Sequence, residues 1–471
     1  MKQPFKTTLL LLATLLVTVL LGQTQKPTAA KTTGTVNYFT YLPTILNRYD
    51  SQFPGPLFGM QVYSSTDPTN KYYNALINSQ TSWVRSRVRW DLVEPTNVAP
   101  SNYNWNTADA NLAVAQPANG GLNVIAVIDF VPNWAQQIPG AVSGPIKSAN
   151  LNDFAEFVQA TVERYDGDGF NDAPGQPIIK HWELINEPDG TPNRWGFYGA
   201  EYAQMLKVAY PAIKAADPNA QVLFGGIAYD SFIENGGPFN KSFLDDVLAA
   251  GGGDYFDVMN FHMYPLFAPY WGEDMTGLPG KTDAIRAKLA EYGLEKPIVV
   301  TEAGWHNSTN IEPVSTGDDE QIALLVQLVT HSFAKDIKVM IWFMLYDPGD
   351  FLPDFGLVTN GNPPVEKAAF SAYTTAVSML KNAQYAANVT PTHTGTPYLE
   401  AHQFTTPQGT LYIAWMSPFD TTTTATFSVP ATSVTVFDAR GNTIGTFTDG
   451  NGDGKVDVTI ANDPVYIRVN Q

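Results

Sequence analysis

From about Pro54 onward, short apolar runs rich in β-formers alternate with amphipathic stretches of helical period, and this alternation restricts the chain more than any other feature. The strand-like runs are Leu57–Val62, Trp83–Val88, Asn123–Asp129, Ile179–Ile185, Gln221–Ile227, Phe256–Phe261, Pro297–Thr301 and Val339–Phe343. Helical patterns lie between several of them, at Asp153–Tyr165, Glu201–Ala216, Lys241–Ala250, Thr282–Tyr292, Asp319–Phe333 and Val365–Leu380. Strands that are nearly all apolar predict a parallel sheet covered on both faces. Eight such strands with intervening helices are the expected content of a (β/α)8 TIM barrel, placed at residues 54–383. A doubly wound sheet would show the same alternation, but no glycine-rich dinucleotide fingerprint follows the first strand.

After about Lys381 the helical signals stop. Thr410–Met416, Thr424–Val429, Ser433–Asp438, Lys455–Ile460 and Val465–Val469 are short, β-branched and separated by Gly, Asn, Asp and Pro. They predict a small all-β sandwich over residues 384–471. At the other end, lysines at 2 and 6 precede the apolar run Leu9–Leu21, the pattern of a signal peptide and short for a span of about 20 residues. Residues 1–22 are expected to be a signal peptide or membrane anchor, and 23–53 a linker. The chain is therefore expected outside the cell, secreted or tethered to the outer face of the membrane through this segment, and monomeric.

Composition narrows the ligand. The 471 residues carry 45 acidic and 27 basic side chains, a net charge of −18, which opposes nucleic-acid binding. Charged residues are only 15% and aromatics 12%, a profile suited to a neutral ligand that stacks on rings. The absence of cysteine removes disulfides, thiolate nucleophiles and Cys-type metal sites. The six histidines are scattered and form no His-Glu-x-x-His helix, so neither metal nor cofactor is expected. The Asp449–Asp457 segment mimics a calcium loop, but Ile460 stands at its twelfth position and its flanks read as strands, so a hairpin turn is expected there. The Asp166–Gly169 segment reads as a turn on similar grounds.

Two glutamates stand at strand ends. Pro188 stops the run that carries Asn186-Glu187, and Glu302 follows Ile298-Val299-Val300-Thr301. In a barrel both would reach the same rim, where such folds build their sites. Paired carboxylates suit glycosidic cleavage, which needs a proton for the departing oxygen and a base or nucleophile for the sugar carbon.

The Asn186-Glu187-Pro188 and Val300-Thr301-Glu302-Ala303-Gly304-Trp305 strand ends resemble those of clan A glycoside hydrolases, most closely the family 39-like and family 5-like members. Trp83-Val84-Arg85 with Trp90 and Glu94-Pro95, Val131-Pro132-Asn133-Trp134-Ala135, Phe261-His262-Met263-Tyr264-Pro265 and Ile341-Trp342-Phe343 fall in the order of their second, third, sixth and eighth strands. The resemblance covers about residues 55–380. It implies a retaining glycosidase acting on a β-linked polysaccharide or oligosaccharide by double displacement. Glu187 would be the acid/base and Glu302 the nucleophile. Asn186 would bind the sugar 2-hydroxyl, and Tyr264 would hold Glu302. Arg85 would sit beside the same carboxylate and favour its charged form. Trp342 would form the floor under the cleaved sugar, and His262 would line the subsite. Trp134 and Trp305 are expected to stack on sugar rings. Arg87 and Arg89 share the strand face of Arg85 and are expected to be salt-bridged structural residues, and Glu183 a buried structural carboxylate. A catalytically inactive, carbohydrate-binding barrel is the alternative.

Overall fold

The computed structural model describes residues 52–470 except 273, 310–315, 350–352 and 420; the expected leader, and all but the last two residues of the linker, lie outside the described residues. Eight strands run in parallel: β1 (Phe58–Gln61), β2 (Trp83–Arg89), β3 (Asn123–Asp129), β4 (His181–Leu184), β5 (Gln221–Leu223), β6 (Met259–Met263), β7 (Ile298–Ala303) and β8 (Ile337–Trp342). Their order in the sheet is β5-β4-β3-β2-β1-β8-β7-β6. Parallel bridges Leu223↔Val258 and Ile227↔Phe261 join the two ends and close the barrel.

Side chains alternate between the two faces of each strand. One parity fills the barrel with Trp83, Ile125, Leu223, Val258, Val299, Val339 and Ile341. The other parity, such as Val84, Val124, Ala126, Met340 and Trp342, packs outward against the helices. Helix Leu151–Arg164 shows how the outer layer forms: Phe154, Phe157, Val158, Thr161 and Val162 recur at three- and four-residue spacing and are buried. Asp153 in its first turn and Arg164 in its last complement the helix dipole. Truncating Phe157, which has no exposed surface, to Ala would cost about 3–5 kcal/mol. The apolar runs at β4 and β5 extend past the paired strands, because beyond Leu184 and Leu223 the chain makes only isolated bonds to its neighbours.

The C-terminal strands are antiparallel. A six-stranded sheet has the order β14-β13-β16-β11-β10-β9 and a two-stranded sheet pairs β12 with β15. Here β9 is Gln384–Asn388, β10 Tyr398–Thr406, β11 Gly409–Ser417, β12 Ala425–Pro430, β13 Ser433–Asp438, β14 Thr443–Thr448, β15 Lys455–Ile460 and β16 Val465–Val469. Between the sheets lie Leu399, Tyr412, Phe427, Val429, Val436, Val458 and Ile467. The opposite face of the larger sheet carries Phe404, Leu411, Ile413, Trp415 and Tyr466, which join the barrel's own core. Phe404 meets Phe333 of helix Asp318–Ala334 edge to face at 5.5 Å. The Asp449 carboxylate accepts backbone N–H bonds from Asn451, Gly452 and Gly454, so this segment closes on itself as a turn.

Candidate active site

The carboxyl end of β4 is bent by backbone the chain rarely adopts. Ile185 (φ 67°) and Glu187 (φ 45°) both sit at positive φ. For a β-branched residue such as Ile185 this costs about 1–3 kcal/mol and persists only when the surroundings impose it. The imposed bonds are visible: Ile185 N–H donates to Ile128 O at 2.9 Å and Glu187 N–H to Gly226 O at 3.0 Å. Gly226 is needed for a second reason, since a Cβ there would run into the His262 ring.

Arg85, on the inward parity of β2, ties the floor of the site together. It is wholly buried and spends all five of its N–H donors. Nε and Nη2 grip Glu183 at 2.8 and 2.7 Å, and Nη2 also reaches Asn186 Oδ1 at 2.6 Å. Nη1 donates to Gln61 Oε1 at 2.9 Å and to Glu302 Oε1 at 2.7 Å. Burial opposes the guanidinium charge, but the adjacent Glu183 and Glu302 outweigh it and push its pKa well up.

Glu302 collects donors on both oxygens. Besides Arg85, Oε1 accepts from Tyr63 Oη at 3.3 Å, and Oε2 accepts from Tyr264 Oη at 2.7 Å. Burial, then the charge of Glu302, push both tyrosine hydroxyls well above their ordinary range, so they remain donors. Glu187 has different company. Its Oε2 lies 3.1 Å from Arg194 Nη1 and its Oε1 3.2 Å from His262 Nδ1. Burial raises its pKa, but the His262 hydrogen bond and the charges of Arg194, His262 and Arg85 prevail and hold it at about 2. His262 Nδ1 is also 3.7 Å from Glu302 Oε2. One oxygen of each glutamate and that nitrogen all lie within 4.8 Å of one another.

Glu187, Glu302, Asn186, Arg85, His262 and Tyr264 thus share one connected group, with Glu183 buried beneath it. Trp342 does not join them. Ile341 faces into the barrel, so the next residue faces out, and Trp342 is packed without exposed surface among the barrel–helix side chains. Phe343, back on the inward parity, takes the place expected of it, 6.0 Å from both Tyr63 and Tyr264. Trp134 packs edge to face on Trp90 at 5.2 Å and donates to Glu94 O at 3.2 Å. Trp305 stacks on His306 at 5.2 Å and is 6% exposed. Arg89 pairs with Asp91 at 2.6 Å as expected. Arg87 does not: among the described residues it has neither an ion pair nor a hydrogen bond, and its guanidinium lies over the rings of Tyr63 and Phe130. Sequence reasoning missed Tyr63, Gln61 and Arg194. The first two follow the strand-end rule at β1, whereas Arg194 sits in an irregular loop that carries no pattern.

Three groups of side chains among the described residues have the spacing of metal ligands. Asp166 is buried, Asp172 half-buried and Asp168 exposed, and their oxygens accept the loop's own amides. In the group of Glu187, His262 and Glu302, two arginines already neutralise the carboxylates, which leaves a cation poorly placed. The third, His331, Glu400 and His402, lies in the seam between barrel and sandwich, where Glu400 Oε1 receives His331 Nε2 at 2.8 Å and His402 Nε2 at 3.1 Å.

Solved structures share this architecture. A family 39 glycoside hydrolase from the gut symbiont Bacteroides cellulosilyticus WH2 is 21% identical, with 88% of this chain and 81% of that chain covered and a TM-score of 0.65. A glucosidase from Croceicoccus marinus is 18% identical, covering 88% and 96% at a TM-score of 0.59. A family 39 β-xylosidase from Caulobacter crescentus is 14% identical, covering 88% and 97% at 0.57. These likenesses establish the fold. A family model described as cellulase, glycosyl hydrolase family 5, matches residues 49–347, well over half of the sequence. With two glutamates facing each other at the ends of β4 and β7 of a closed barrel, and with that match, the chain belongs to the cellulase family of glycoside hydrolases and acts on carbohydrate.

Proposed function

We propose that the protein hydrolyses O-glycosidic bonds of a β-linked polysaccharide or oligosaccharide with retention of configuration, Glu302 serving as nucleophile and Glu187 as acid/base. The observation that carries this reading is the short gap between two differently furnished carboxylates. Carboxylate oxygens within 4.8 Å of one another favour the close spacing of a retaining pair, about 5–5.5 Å, over that of an inverting pair, about 6.5–9.5 Å. Glu302 is gripped by Arg85, Tyr264 and Tyr63, three donors that hold it aimed at the sugar carbon. Its attack forms a glycosyl ester while the glycosidic C–O bond breaks.

The leaving oxygen takes its proton through Glu187, whose carboxylate is hydrogen-bonded to His262 Nδ1 at 3.2 Å. Esterification of Glu302 then removes one negative charge from the site, and Glu187 remains ionised beside Arg194, ready to deprotonate the water that opens the ester. Asn186, oriented by Arg85 Nη2, binds the sugar 2-hydroxyl. Phe343 rather than Trp342 supplies the apolar wall, and Trp134 and Trp305 offer rings for flanking sugars. A 2-deoxy-2-fluoro glycosyl fluoride tests the reading: it should label Glu302 stoichiometrically, and NMR of early products should show the substrate's anomeric configuration. No label and no turnover across aryl glycosides and plant polysaccharides would favour the carbohydrate-binding barrel instead.

For the ends of the chain we infer an exported, monomeric protein, with residues 1–22 as cleaved signal or outer-face anchor, 54–383 as catalytic domain and 384–471 as sandwich. The support is the apolar run Leu9–Leu21 and the change of pattern near Lys381.

A further inference from the structure

Among the described residues Arg87 is the one buried arginine with an unpartnered nitrogen. It lies two residues beyond Arg85 on the same inward face of β2, so about 7 Å nearer the mouth. Only 8% of it is exposed, and its Nε is buried without an acceptor. Its guanidinium rests 4.7 Å from the Tyr63 ring and 5.0 Å from the Phe130 ring. Tyr63 is the residue whose hydroxyl donates to Glu302, so one aromatic ring separates this cation from that carboxylate. Asp129 feels its charge but already accepts the Phe130 N–H and forms no ion pair with it. A desolvated guanidinium with free donors is costly unless something enters to meet it. Its planar fork matches a carboxylate or sulfate in a bidentate manner.

We propose that the glycan bound at the barrel mouth carries an anionic substituent, a uronosyl carboxylate or a sulfate ester, and that Arg87 receives it. This deepens, and rests on, the glycosidase reading above. It also departs from the expectation of a neutral ligand drawn from the low overall charge.

The test uses matched pairs of substrates: 4-nitrophenyl β-D-glucuronide against the β-D-glucoside, glucuronoxylan against uncharged xylan, and a sulfated galactan against its neutral counterpart. Wild type should prefer the anionic member of at least one pair, and which pair responds distinguishes carboxylate from sulfate. In Arg87→Gln that preference should fall about 10- to 100-fold, mainly through KM, the range expected for losing a charge-assisted hydrogen bond. Arg87→Lys should recover part of it, and the wild-type KM for the anionic member should rise with ionic strength. A wild type that prefers the neutral member of every pair, or an unchanged ratio in Arg87→Gln, overturns the proposal. If Arg87→Gln does not fold, a salt-independent KM in wild type overturns it equally. Cleavage of no member of any pair would defeat the parent reading first, so the two failures are distinguishable.

Discussion

Two clusters of glutamate and basic side chains are buried in this molecule, and they are tied in different ways. In the barrel mouth, Glu183 and Glu302 are held by Arg85, which stays charged at any accessible pH. In the seam between barrel and sandwich, Glu400 is held by His331 and His402, which can lose their protons. Each histidine is oriented through its other nitrogen, His331 by Thr276 Oγ1 at 2.6 Å and His402 by Tyr385 Oη at 3.0 Å. Trp415 covers the group, with the His402 ring stacked on it at 5.4 Å. The floor of the mouth is therefore tied by a cation that keeps its charge, while the seam couples the cohesion of the two domains to pH. One cluster is fixed for chemistry and the other is conditional.

The largest expected effect separates them by readout. Glu302→Gln should lower kcat by about 10⁴-fold or more with little change in unfolding free energy, because Arg85 keeps its two-point pair with Glu183 and the amide oxygen still accepts from it. Glu400→Gln should do the reverse, leaving kcat near wild type and costing about 3 kcal/mol of stability, as breaking a buried pair does. If denaturant unfolding and initial rates show the opposite assignment, the division of labour is wrong.

The pH dependence sharpens the second case. His331 is opposed by its own burial, but Glu400 prevails and raises its pKa above the ordinary 6.5. Stability from that pairing is fully present below pH 6.5 and fades as pH rises through the raised value. Glu400 itself is buried, yet the two histidines pull its pKa far below 4.5, so its contribution is present above pH 4.5 and fades only on strong acidification. His402, pushed down by burial, works against the protonated seam below pH 6.5, and more so in the variant, where the opposing pull of the Glu400 charge is gone. The stability difference between wild type and Glu400→Gln should therefore peak between pH 4.5 and 6.5 and shrink by pH 9. A difference independent of pH would mean that His331 is not the charged partner.

The smallest effect lies at the mouth. Tyr63→Phe removes the longest of the three donors to Glu302, at 3.3 Å, and leaves Arg85 and Tyr264 in place. A fall in kcat/KM of about 5- to 10-fold is expected, equivalent to roughly 1 kcal/mol for one neutral donor. A loss comparable to that of Glu302→Gln would show that the three donors act as an all-or-none unit.

Much of the barrel is legible in the sequence because strands buried on both faces must be apolar throughout. The ends of β4 and β7 are legible too, since Pro188 and Gly304 punctuate them. Side-chain parity is harder to read. Trp342 and Phe343 are adjacent aromatics, and only the inward face of Ile341 decides which of them reaches the site. The strands β9, β10 and β14 escape pattern reading for opposite reasons. β10 hides Glu400 and His402 inside the molecule, where polar residues are not expected, while β9 and β14 are mostly exposed or partly exposed. Arg194 comes from a loop, and no periodicity announces its return to Glu187.

The larger C-terminal sheet buries both faces, and one of them lies on helix Asp318–Ala334, the helix that follows the Glu302 strand. Twelve of the seventeen residues of that helix are buried. Helix Gly199–Ala216, which follows the Glu187 strand, keeps an open flank instead. The sandwich thus buttresses the wall of the site that carries Glu302. That asymmetry matches the two jobs proposed for Glu302 and Glu187: a nucleophile strikes a single carbon from one direction, whereas the acid/base must attend first to a departing oxygen and then to an arriving water. Rigidity is supplied where aim matters, and latitude is left where one group serves two partners in turn.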